Sequence, residues 1–133
     1  MSGRVAYLDT SAFVKLVVAE PESAALTRVL QRWPDRASAT LLRAETVRAL
    51  RRSGNDALVG NARRLFGTIR LVRIDEPLLD RAGDLDPVEL GTLDAVHLAA
   101  AMALGPDLGV LFTYDTRLWA AANAAGLRAD SPA

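Results

Sequence analysis

Arg4-Val5-Ala6-Tyr7-Leu8-Asp9-Thr10-Ser11-Ala12-Phe13 is a short apolar run that stops abruptly at a carboxylate. Val5 to Leu8 has the length and the β-branched and aromatic content of a buried strand. Thr10 and Ser11 are helix-cap residue types, followed by the apolar Ala12-Phe13-Val14. Asp9 therefore falls where a strand hands over to a helix. In open α/β sheets, ligands bind in the crevice outside the carboxyl ends of the strands. A carboxylate at that place is either a simple helix cap or a group that faces a ligand.

Outward from this stretch the pattern alternates. Ala12 to Ala19 reads as a short helix ended by Glu20-Pro21, because proline disfavours helical geometry in the residue before it. A second helix is expected over Ser23 to Gln31, its apolar Ala25, Leu26, Val29 and Leu30 recurring at three-to-four spacing. Arg36 to Thr40 reads as a second strand, with Thr40 capping a helix from Leu41 to Arg52 that Ser53-Gly54-Asn55 stops. Asp56 to Phe66 predicts another helix, Arg70 to Ile74 a third strand and Pro77 to Gly83 a further helix. Asp84 to Gly91 is a linker into the strongest helical signal, Thr92 to Leu104, with Thr92 as its cap and Gly105-Pro106 as its stop. Leu108 to Tyr114 is a fourth strand, Leu118 to Ala125 a last helix, and Leu127 to Ala129 an edge strand; the tail from Asp130 is expected to fray. Strands alternating with helices imply a parallel sheet covered on both faces, in one domain spanning residues 1–133.

Composition narrows the function classes. The 133 residues contain no cysteine, one histidine, and sixteen acidic against sixteen basic residues. Disulfide scaffolds, thiolate zinc sites and cysteine nucleophiles are excluded, and a reducing cytoplasm is the expected compartment. No run approaches the roughly 20 apolar residues of a membrane span, and no leader pattern opens the chain. Zero net charge argues against a protein that coats nucleic acid nonspecifically. The basic residues are nevertheless unevenly placed: Lys15 is the one lysine, and Arg43, Arg48, Arg51, Arg52, Arg63 and Arg64 fall close together. Arginine's planar fork of donors suits phosphate.

Most of the acids sit in turns or on polar faces. Four do not: Asp9 and Asp115 end strands, Glu45 lies in a helix among Leu41, Leu42, Val47 and Leu50, and Asp94 opens the most apolar helix of the chain. A charge near such surfaces is costly unless something pairs with it. At roughly 5 Å and an effective dielectric near 20, each pair of carboxylates would repel by about 3 kcal/mol. A compact cluster of the four asks for a cation, and all-oxygen ligation favours Mg²⁺ or Mn²⁺. Ser11 and Thr113 lie two residues from the strand-end acids, where their hydroxyls could orient a carboxylate. His97, one turn after Asp94, reads as a hydrogen-bonded packing residue or a base. Trp33 and Trp119 read as core or interface aromatics, since no aromatic ladder accompanies them.

Leu8-Asp9-Thr10-Ser11-Ala12, Ala44-Glu45, Thr92-Leu93-Asp94-Ala95-Val96-His97-Leu98-Ala99 and Phe112-Thr113-Tyr114-Asp115-Thr116-Arg117-Leu118, in this order and spacing, together resemble a PIN domain of the VapC toxin type. The resemblance covers essentially the whole chain. It departs from the pattern at Gly91, where relatives often carry an arginine. It implies a three-layer α/β/α sandwich with a parallel sheet of four or five strands and a Mg²⁺- or Mn²⁺-dependent endoribonuclease. It further implies an acidic pocket of Asp9, Glu45, Asp94 and Asp115 with Ser11 and Thr113 nearby, a structured tRNA or rRNA as substrate, a VapB-like antitoxin as partner, and a homodimer.

The residues themselves are compatible with that chemistry. Carboxylate-held metal would acidify a water and stabilise the leaving oxygen, and Arg48, Arg51 and Arg52, which follow Glu45, would hold the RNA backbone. A phosphorelay receiver would need a lysine late in the chain. An aspartyl phosphatase would want a second acid at the position of Ser11. The remaining alternative is a silent PIN-like binding module that uses its acidic pocket for a basic partner.

Overall fold

The computed structural model describes residues 2–133. Five strands, β1 (Val5–Leu8), β2 (Asp35–Ala39), β3 (Arg70–Val72), β4 (Leu108–Phe112) and β5 (Ala129–Asp130), form one parallel sheet in the order β3-β2-β1-β4-β5. Seven helices cover it: α1 (Thr10–Val17), α2 (Ser23–Leu30), α3 (Leu42–Arg52), α4 (Val59–Phe66), α5 (Glu76–Gly83), α6 (Thr92–Ala103) and α7 (Thr116–Ala124). The expected three-layer α/β/α sandwich is present, with five strands.

Each strand of the pair β1–β4 is buried on both faces, as a central parallel strand must be. Val5 and Tyr7 face a core shared with α5, α6 and α7, whereas Ala6 and Leu8 face α1 and α2. A third cluster joins Phe13 of α1 to Leu42 and Leu50 of α3 and to Phe66 of α4, the two phenyl rings stacking at 5.4 Å. Gly109 is the extra residue of a bulge opposite Val5 and Ala6. A Cβ there would come within 2.4 Å of the Gly3 carbonyl oxygen and of the Trp33 ring, so only glycine fits.

The chain runs outward from β1 to β2 and β3, returns through α5 and α6, and runs outward on the other side through β4 and β5. The direction reverses between β1 and β4, the place where doubly wound sheets bind ligands. Asp9 follows β1 and Asp115 lies three residues past β4, so the two strand-end acids straddle this switch point.

Several local expectations shift. The first helix starts at Thr10 rather than Ala12, because Asp9 itself is the cap, accepting from the Ala12 N–H. Neither Thr40 nor Thr92 caps a helix: Leu41 and Gly91 occupy those cap positions without a side-chain bond, and Thr92 is the first helical residue. The stretch Asp56 to Phe66 divides into a 3₁₀ turn over Asp56–Leu58 and α4. The third strand stops at Val72 and the last one lies at Ala129–Asp130. The tail is tied down instead of fraying, since the Ser131 hydroxyl donates to the Thr113 carbonyl and the Tyr114 hydroxyl to the Pro132 carbonyl. Among the described residues, no helix is long and apolar enough to cross a membrane.

Candidate active site

Asp9 is the most constrained acid in the molecule. It is 3 % exposed and accepts three hydrogen bonds: from the Ser11 hydroxyl at 2.7 Å, the Ala12 N–H at 2.9 Å and the Thr113 hydroxyl at 2.6 Å. Ser11 in turn accepts the Tyr114 N–H at 2.9 Å, and Thr113 accepts the Asp115 N–H at 3.1 Å. Two hydroxyls thus bolt the end of β1 to the end of β4, with the carboxylate between them. Burial pushes Asp9's carboxyl up, opposed by the bonds from Thr113 and Ser11.

Asp115 caps α7, its Oδ1 accepting from the N–H groups of Arg117 at 2.9 Å and Leu118 at 3.2 Å. Asp94, in the first turn of α6, faces it. The Asp94 carboxyl is raised to about 6 by burial, by the negative charges of Asp115 and Asp9 and by contact with Asp115. The helix N-terminus favours an anion there, yet like charge and burial win. Among the described residues, no basic side chain forms an ion pair with Asp9, Asp94 or Asp115. Asp94 and Asp115 crowd one another at the sheet's switch point, with Asp9's charge acting on Asp94 as well.

Glu45 comes from α3 and is held differently. Its Oε1 lies 2.7 Å from His97 Nε2 and accepts the Thr10 hydroxyl at 2.5 Å. Burial would raise its carboxyl, but the hydrogen bonds from His97 and Thr10 outweigh that and lower it from the ordinary carboxylate value. Tyr7 and Thr10, which hold this arrangement, were not legible as site residues. Tyr7 reads as one more apolar strand residue, and Thr10 as a cap.

All-oxygen donors with unbalanced negative charge fit a hard divalent cation. Among the described residues, no three acidic or imidazole side chains stand close enough to form a ready cage. The Asp94–Asp115 pair, with Asp9's charge behind it, is the feature that fits one.

Two other surfaces matter. Arg48, Arg51 and Arg52 on α3 line, with Asp56, a depression of about 280 Å³. A larger and mostly apolar cavity of about 980 Å³ lies between the 84–90 linker and α7, floored by Leu85, Leu90 and Ala121; none of the four acids lines it.

A doubly wound parallel sheet with acids gathered at its switch point defines an α/β protein with a candidate hydrolytic site at that edge, and the model of the PIN domain matches residues 6–124. The chain is 50 % identical over 126 residues to Ribonuclease VapC46 of Mycobacterium tuberculosis, an alignment covering 95 % of this chain and 96 % of that protein. It belongs to the PIN-domain family, in its VapC branch. Among solved structures it is similar in fold to M. tuberculosis VapC20, a sarcin-ricin loop cleaving toxin, at 20 % identity with a TM-score of 0.76 over 96 % of this chain and 99 % of that one. It is likewise similar to VapBC2 of Rickettsia felis, solved with a promoter DNA fragment, at 14 % identity with a TM-score of 0.73 over 97 % of this chain and 99 % of that one.

Proposed function

We propose that this protein is the ribonuclease toxin of a VapBC-type pair: a Mg²⁺- or Mn²⁺-dependent endoribonuclease that cuts a structured tRNA or rRNA, works as a homodimer and is restrained by a VapB-like antitoxin. The observation that carries the reading is the Asp94–Asp115 pair at the switch point, with Asp9's charge near it and, among the described residues, no basic side chain in an ion pair with any of the three; burial and the charges of Asp115 and Asp9 raise Asp94 to about 6. Support also comes from the names of the relatives, which are ribonucleases of this branch, and from structural neighbours solved as toxin–antitoxin complexes.

Asp9, Glu45, Asp94 and Asp115 would supply the oxygen donors that hold the cation. When bound, a divalent cation supplies charge neutralisation at the scissile phosphate and a more acidic attacking water. Ser11 and Thr113 keep Asp9 from rotating, so its oxygens stay where the sheet edge puts them. Arg48, Arg51 and Arg52 would carry the phosphates of the flanking RNA, positioning the strand without reading its sequence. Unpaired bases in a loop would supply the specificity.

The test is incubation of purified protein with total RNA in Mg²⁺ or Mn²⁺, followed by mapping of the new ends. Discrete cuts confined to a loop of one tRNA or rRNA are expected. Intact RNA in the presence of folded, cation-loaded protein would contradict the enzyme and leave a PIN-like binding module.

A further inference from the structure

The one histidine of the chain is buried in a row of hydrogen bonds that the proposed chemistry leaves unused. Tyr7, in the middle of β1, is fully buried, and its hydroxyl lies 2.7 Å from His97 Nδ1, a partner 90 residues away on α6. The two rings meet edge to face at 5.9 Å. The opposite nitrogen, Nε2, lies 2.7 Å from Glu45 Oε1 and 3.3 Å from the Thr10 hydroxyl. Ser38 Oγ and the backbone of Ala39 also lie beside the phenol, but among the described residues the side chain it bonds is the imidazole.

The chemistry of the groups assigns the direction of each bond. An ionised carboxylate only accepts, so Nε2 carries the hydrogen that Glu45 receives. Burial pushes Tyr7's hydroxyl well above its usual range and keeps the phenol neutral, so it has an O–H to donate. The acceptor facing it is Nδ1. The chain of donation runs Tyr7 to His97 to Glu45, from the centre of the sheet to its edge, with Thr10 donating alongside. It commits Glu45 Oε1 twice; among the described residues, no hydrogen bond reaches Oε2.

We propose that Tyr7 and His97 are positioning residues for Glu45: the phenol sets the tautomer of the imidazole, and the imidazole pins one carboxylate oxygen so that the other is kept for the acidic edge. This rests on the cation-dependent reading of that edge. Groups that orient a ligating side chain from behind are worth about 10–100-fold in metal affinity or activity. A network that served only packing would stabilise the fold and leave both untouched.

A single histidine makes the test clean, because ¹⁵N-histidine labelling of the full chain yields one pair of ring-nitrogen signals. The wild type is expected to be protonated at Nε2, with Nδ1 shifted as a hydrogen-bond acceptor, and Tyr7→Phe to move Nδ1 to the value of an unbonded one. An Nδ1–H tautomer in the wild type overturns the proposal whether or not the protein cleaves RNA. Mn²⁺ affinity and single-turnover RNA cleavage are then compared for Tyr7→Phe, His97→Gln and His97→Ala, with folding checked by circular dichroism. Cleavage should fall about 10-fold in Tyr7→Phe and toward about 100-fold in His97→Ala. KM should stay within about twofold, and His97→Gln, which can still donate an N–H, should recover part of the loss. Mn²⁺ affinity should fall in the same order. Wild-type cleavage and affinity in a folded His97→Ala overturn the proposal; should that variant unfold, Tyr7→Phe and His97→Gln decide. A wild type that cuts no RNA, with Mn²⁺ affinity still lost in the variants, retires the nuclease reading and leaves the positioning chain standing.

Discussion

Asp9 and the arginines of α3 are both charged, and the protein treats them in opposite ways. Asp9 is sealed at the junction of β1 and β4, with three donors fixed on its two oxygens. Arg48, Arg51 and Arg52 lie on an exposed helix face, and among the described residues none forms an ion pair. The first arrangement sacrifices solvation to fix geometry, as catalysis requires. The second keeps long, hydrated side chains free, as binding a variable polyanion requires. The same division separates two stretches of sequence. Residues 42–69 carry Arg43, Arg48, Arg51, Arg52, Arg63 and Arg64 against Glu45 and Asp56, whereas residues 75–94 carry Asp75, Glu76, Asp80, Asp84, Asp86, Glu89 and Asp94 against Arg81. A net charge of zero thus conceals a basic stretch and an acidic stretch, one carrying Glu45 and the other Asp94.

The sharpest way to break this contrast is at the acidic edge. Asp94→Asn and Asp115→Asn each keep the volume and remove a charge, and each should lower cleavage by more than about 100-fold, since loss of a ligand exceeds loss of its support. RNA affinity, measured by filter binding, should barely change. A parallel fall in affinity would mean that the acids shape the binding surface instead of the chemistry.

Neutralising the other region should do the reverse. Replacing Arg48, Arg51 and Arg52 together by Gln should weaken RNA binding by about tenfold at low salt and flatten the salt dependence by about 2 in log–log slope. The turnover of saturated enzyme should persist. An unaltered slope would move the RNA track elsewhere on the molecule.

The Asp94–Asp115 pair also predicts a pH dependence, read by thermal melting in chelator. Asp94's folded value, about 6, lies above its ordinary 3.8, so the folded chain holds that proton more tightly. Its contribution is fully present below about pH 4 and is lost as pH rises through about 6. The full shift would be worth about 3 kcal/mol, and solvent screening of a half-exposed carboxylate reduces that to about 1 kcal/mol. Asp94→Asn should remove the dependence. A profile unchanged by the substitution would show that the two carboxylates do not crowd one another.

The smallest effect is a control. Arg70 pairs with Asp35 at 3.0 Å across the amino-terminal ends of β3 and β2, away from the acidic edge. Arg70→Gln should change stability by less than about 1 kcal/mol and leave RNA affinity as it was. A loss of affinity there would mean that any arginine on this chain binds RNA, and the contrast between regions would lose its meaning.

How much of this was legible in the sequence follows from range. Asp9 and Asp115 announce themselves because a strand's apolar run ends at each, and Asp94 because it interrupts the most apolar helix; such signals lie within a few residues of the acid. Asp9's role as the cap of α1 moved the helix start by two residues, since one carboxylate serves both as cap and as site. What was not legible is the partition of the four acids. Glu45 is separated from the other three in environment by His97 and Thr10, partners 52 and 35 residues away, and no local pattern encodes such distances. Tyr7 is hidden for the same reason: one hydroxyl in a strand of otherwise apolar side chains shows its purpose only once α6 is packed against β1. The tail looked free because its anchors, Thr113 and Tyr114, lie 18 residues back.

The most direct measurement is single-turnover cleavage of RNA by the wild type in Mn²⁺, beside the same reaction in excess chelator and beside Asp94→Asn. The account predicts cleavage in the first and none above background in the other two, with the RNA still bound in all three. Cleavage that survives chelator, or that Asp94→Asn performs at the wild-type rate, would contradict it.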